Sequence, residues 1–144
     1  MPAVYIDTSA LAKWYLNENR SDDFENWIKE QDNACISTLT ATEFRCLLAR
    51  RRRTGELTSA LEREIYSRFE LDIQNNHLSS YPVIDRHVTG AVSLMETLTD
   101  VAIRTLDAIH LNIATDLAVT QLATADRVMI QAALSIGLQV ERFD

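Results

Sequence analysis

The stretch Ala3-Val4-Tyr5-Ile6-Asp7-Thr8-Ser9-Ala10-Leu11 decides how the chain is read. Its apolar run at Val4, Tyr5 and Ile6 predicts a short, fully buried strand. Asp7 stands where that strand should end. Thr8 and Ser9 can then cap a helix carrying Leu11, Trp14 and Tyr15 at the spacing of one buried face. A carboxylate at the carboxyl end of a first strand lies on the edge where open α/β sheets gather their ligands.

Outward from this stretch, strand and helix patterns alternate. Ser21 or Asp22 starts a helix with Phe24, Trp27 and Ile28 facing inward, and Ala34–Ser37 reads as a second strand. A helix opening at Thr38–Phe44 ends in Arg50-Arg51-Arg52-Arg53 and Thr54-Gly55. The next repeats Leu57, Leu61, Ile65, Phe69 and Ile73 every four residues, which predicts a helical hairpin protruding from the sheet. Ser80–Ile84 reads as a third strand, limited by Pro82. A helix with Val88, Ala91, Val92 and Met95 as its apolar residues follows, then one opening at Thr105–Leu111. Val119–Thr124 is a fourth strand, Asp126 starts a helix burying Ile130, Ala133 and Leu134, and Leu138–Val140 is an edge strand. The pattern predicts a parallel sheet covered on both faces, an α/β architecture.

The 144 residues, 47% of them apolar, suit one globular domain over 1–144. No apolar run is long enough to span a bilayer, and no secretion signal is visible at the start. Cys35 and Cys46 lack metal-type spacing, so a reduced, cytoplasmic setting is expected. A net charge of −7 argues against a phosphate-rich partner unless cations intervene.

Four carboxylates stand out: Asp7, Glu43, Asp107 and Asp126. Each also has a structural reading. Thr40–Glu43 fits a capping box, Asp107 complements a helix dipole, and Asp126 and Asp7 are cap candidates. Strands of a parallel sheet end on one edge, so the four should meet there, where they would repel one another without a cation. Oxygen-only ligands fit Mg²⁺ or Mn²⁺ better than zinc. His110, one turn after Asp107, can orient it or be a core histidine. Arg50, Arg51, Arg52 and Arg53 can bind an RNA backbone or simply favour a helix C-terminus.

Tyr5–Leu11, Thr42-Glu43-Phe44, Arg104–Leu111 and Leu122–Asp126 together resemble, in order and over essentially the whole chain, the successive motifs of PIN-domain ribonucleases. More narrowly, they are similar to the VapC toxins of toxin–antitoxin pairs. The resemblance implies a three-layer α/β/α sandwich and a Mg²⁺- or Mn²⁺-dependent endoribonuclease. Asp7, Glu43, Asp107 and Asp126 would form the metal pocket, with Asp7 and Asp107 the most direct ligands. Thr8, Ser9 and Thr124 would support water or carboxylate positions. A homodimer restrained by a VapB antitoxin is the implied assembly. The reaction would be hydrolysis of RNA by a metal-activated water. Two rivals stay open: a phosphohydrolase with Asp7 as nucleophile, and an inactive PIN-like scaffold that only binds a partner.

Overall fold

Alternation along three very short strands sorts the core into two halves. Val4, Ile6, Ala34, Ile36 and Ala123 point to one face, and Tyr5, Cys35 and Leu122 to the other. In the computed structural model, which describes residues 2–144, these strands are β1 (Val4–Ile6), β2 (Ala34–Ser37) and β4 (Gln121–Thr124). With β3 (Ser79–Tyr81) and β5 (Gln139–Arg142) they form a five-stranded sheet, ordered β3-β2-β1-β4-β5 and parallel throughout.

Helices α1 (Thr8–Tyr15), α2 (Ser21–Ile28), α3 (Thr38–Arg53) and α4 (Ser59–Gln74) cover the first face. Helices α5 (Asp85–Thr97), α6 (Thr105–Asp116) and α7 (Arg127–Ser135) cover the second. The result is the α/β/α sandwich expected from the sequence. The chain winds outward from β1 through β2 to β3 on one face, then returns to β4 and β5 over the other. The reversal falls between neighbours β1 and β4, and such a switch point opens a crevice at the strands' carboxyl ends.

The predicted hairpin forms from α3 and α4 and turns at Gly55, whose φ of +84° suits a residue without a side chain. Its inner face reaches the core: Phe44, Leu48, Ile65 and Phe69 are buried, with the Phe44 and Phe69 rings 5.2 Å apart. Two predicted faces differ. Val88 and Val92 are 47% and 56% exposed, because α5 turns a small and polar face toward α6. On that face Asn112 Nδ2 donates to the carbonyls of Arg86 and His87, and His87 Nε2 bonds Asp116 Oδ2 at 2.8 Å. Gly90 lets the helices approach, since a Cβ there would lie 2.3 Å from Asn112 Nδ2. Leu134 is likewise 56% exposed, while Ala132 and Ala133 take the inner face of α7. Among the described residues, no helix is long and apolar enough to cross a membrane.

Candidate active site

The crevice at the switch point is built first from Asp7. This residue ends β1 and is the N-cap of α1, so its Oδ1 accepts from Ala10 N at 3.0 Å. Ser9 Oγ donates to the same oxygen at 2.7 Å, and Thr124 Oγ1 donates to Oδ2 at 2.5 Å. Register supplies the second strand: Ile6 pairs with Ala123, which brings Thr124 beside Asp7. Thr124 Oγ1 also accepts from Asp126 N, and Ser9 Oγ accepts from Ala125 N, so the two hydroxyls tie the ends of β1 and β4 together. Burial pushes the Asp7 carboxyl above the ordinary range, against the pull of these hydrogen bonds.

The other acids arrive on helices. Asp126 caps α7, its Oδ1 accepting from Met129 N at 3.0 Å. Asp107 lies in the first turn of α6. Glu43 lies in the second turn of α3, because that helix starts directly at the end of β2. The capping box there is Ser37 with Thr40, one turn earlier than the Thr40–Glu43 box the sequence predicts. Glu43 is thereby free of capping and faces the crevice. Its Oε1 accepts from Thr8 Oγ1 at 2.8 Å and bonds His110 Nε2. Burial pushes the Glu43 carboxyl up, but the His110 and Thr8 hydrogen bonds and the histidine's charge outweigh it, leaving the group below its usual range.

Asp7, Thr8, Ser9, Glu43, Asp107, His110 and Asp126 line one cavity of about 200 Å³, together with Leu47 and Arg104. A neighbouring hollow shares Glu43, Arg104 and Asp107. Burial first, and then the charge of Asp126, raises the Asp107 carboxyl above its ordinary range. Its Oδ2 is buried without a hydrogen-bond partner, and the Arg104 Nε stands 4.0 Å away. A buried, unpartnered carboxylate oxygen beside three other acids is a position a hard divalent cation fits, and every acidic donor is oxygen. Among the described residues, however, no three His, Cys, Asp or Glu groups are gathered closely enough to hold an ion as they stand.

Several residues stand elsewhere than sequence reasoning placed them. His110 turns to Glu43 rather than to Asp107 on its own helix, because α3 passes opposite that face of α6. None of Arg50 to Arg53 lines the cavity. Arg51 pairs with Glu18 at 2.7 Å and Glu56 at 2.8 Å, and Arg52 pairs with Glu62 at 2.8 Å; Arg50 and Arg53 face solvent. Arg104 was not singled out, although its place three residues before Asp107 put it on the same turn. Tyr5 is a polar partner as well as core, which strand alternation foreshadows by setting it on the face opposite Val4 and Ile6.

Comparison with known proteins agrees with this fold. The PIN domain family model matches residues 4–134. The chain belongs to the PIN-domain family. It is 29% identical over 140 residues to Ribonuclease VapC47 of Mycobacterium tuberculosis, covering 93% of this chain and 92% of that protein. Its fold is similar to the crystal structure of M. tuberculosis VapC20, a toxin that cleaves the sarcin–ricin loop. There the TM-score is 0.71 and the identity 15%, with 90% of this chain and 95% of that one covered. It is also similar to DNA-bound VapBC of Salmonella typhimurium, with a TM-score of 0.69 and 14% identity over the full length of both chains.

Proposed function

We propose that the chain, acting as one PIN unit over residues 1–144, is a Mg²⁺- or Mn²⁺-dependent endoribonuclease and the toxin of a toxin–antitoxin pair. The observation that carries this reading is the convergence of Asp7, Glu43, Asp107 and Asp126 on one cavity at the sheet's switch point, with Asp107 Oδ2 buried and unpartnered. Membership of the PIN family and likeness to a VapC ribonuclease support it.

In this reading Asp7 and Asp107 are the most direct ligands, and Glu43 and Asp126 complete the set. A bound divalent ion supplies charge against the scissile phosphate and lowers the pKa of attacking water. The protein's own part is to hold the acids still. Ser9, Thr124 and the Ala10 amide fix Asp7, the Met129 amide fixes Asp126, and Thr8 fixes Glu43. Both Asp7 oxygens are already engaged in a buried position, which suits a fixed ligand better than an in-line nucleophile.

A VapB-type antitoxin is the proposed restraining partner, supported by the VapBC complexes among similar structures. The proposed homodimer is supported by the exposed row formed by Ile84 at the N-cap of α5 and Val88 and Val92 on it. The proposed compartment is the cytoplasm. The test is to sequence RNA ends after brief expression of wild type beside Asp7→Asn. New 5′ ends at defined sites are expected with wild type only; equal cleavage by the variant in Mg²⁺ would refute the mechanism.

A further inference from the structure

The four acids are not held alike. Asp7 accepts from the Ala10 amide and Asp126 from the Met129 amide, and the backbone at Arg104 favours ionised Asp107. Backbone donors at helix starts need no further support. Glu43 is in the second turn of its helix, has one more rotatable bond than an aspartate, and both of its donors are side chains. Its position therefore depends on how firmly those side chains are held.

His110 is the firmer of the two. It is 2% exposed, and its Nδ1 lies 2.7 Å from the Tyr5 hydroxyl. Tyr5 is fully buried on β1, and its hydroxyl lies 2.8 Å from Ser37 Oγ and 3.3 Å from Thr40 Oγ1. A carboxylate can only accept, so the His110 Nε2 carries the proton directed at Glu43. Nδ1 bonds the Tyr5 hydroxyl, which in turn bonds Ser37 Oγ and Thr40 Oγ1. The row Ser37–Tyr5–His110–Glu43 thus runs from the end of β2, along the sheet face that α6 covers, to the cavity wall. A buried phenol and imidazole need partners in any fold. Here the partner at the far end is a carboxylate of the site.

We propose that His110 is the positioning residue for Glu43, anchored in the core by Tyr5, and that the pair holds Glu43 Oε1 so that Oε2 is presented to the acid-lined cavity. The inference rests on the nuclease reading above. Thr8 supplies the second donor to Oε1 and fixes the same carboxylate from the α1 side. Residues that orient a metal-binding group from outside typically change affinity or activity by about 10–100-fold when removed.

The test compares wild type with His110→Ala, His110→Gln and Tyr5→Phe. Folding is checked by circular dichroism, Mn²⁺ affinity by calorimetry, and cleavage of an RNA oligonucleotide under single-turnover conditions. His110→Ala is expected to weaken Mn²⁺ binding and slow cleavage by about 10–100-fold, with the KM for RNA moving far less. His110→Gln, which keeps an N–H at comparable reach, should recover most of that loss. Tyr5→Phe, which removes one oxygen, should fall between the two and serves as the test if the alanine variant does not fold. A folded His110→Ala, or a folded Tyr5→Phe, that binds Mn²⁺ and cuts RNA like wild type overturns the proposal. So does a glutamine variant as impaired as alanine. Wild type that neither binds Mn²⁺ nor cuts RNA takes the nuclease reading down with it, a pattern distinct from active wild type with unaffected variants.

Discussion

Asp107 pays for its position in the fold. Its carboxylate is partly buried, one oxygen lacks a partner, and Asp126 adds like charge, so the native state binds a proton more readily than the unfolded chain. The ionised group therefore opposes folding at neutral pH. Asp107→Asn keeps the shape of the side chain and removes that charge. Metal-free variant should be more stable than metal-free wild type at neutral pH, read as a higher melting temperature. It should also be inactive on RNA. The sign with pH follows from linkage: a raised folded pKa costs stability above that value and is relieved as pH falls toward the unfolded value of about 4. The melting-temperature gap between variant and wild type should shrink from pH 7 downward. A gap that widens on acidification would contradict this account.

Among the elements, α6 matters most, because it carries both Asp107 and His110 and is located by α5. Gly90 and Asn112 set the distance between those two helices. Gly90→Ala adds a methyl where there is no room, and overpacking of this kind costs about 1–3 kcal/mol. We expect a lower melting temperature together with slower cleavage, whereas Ser93→Ala, at an exposed position of the same helix, should change stability by no more than about 0.5 kcal/mol and cleavage by no more than about twofold. The same pair of helices shows what the sequence made legible. The strands and the meeting of the four acids in one cavity could be read, because parallel strands and the helices after them end and begin on one edge. The inward face of α5 could not. Its apolar valines suggested the buried side, but the polar contacts of His87 and Asn112 with α6 rotated them outward. His110's partner was hidden for a related reason: an i, i+3 spacing is visible in one helix, and the approach of α3 to α6 is not.

For the molecule as a whole, charge and site point in opposite directions. A net charge of −7 repels RNA, and the cavity concentrates part of that charge. If a cation resolves the conflict, its binding must stabilise the native state by mass action. Adding Mn²⁺ at a hundred times its dissociation constant should stabilise wild type by about 2.7 kcal/mol, read as a rise in melting temperature, and Asp7→Asn should respond much less. An equal response in both proteins would place the ion elsewhere.

The reversal of winding between β1 and β4 has one more consequence. Asp7 and Glu43 come from the first third of the chain, while Thr124 and Asp126 come from its last fifth. A polypeptide still leaving the ribosome carries the early acids without the late wall that faces them. On the reading proposed above, synthesis is itself a safety catch: the cell's RNA is exposed to this protein only after translation has passed Asp126.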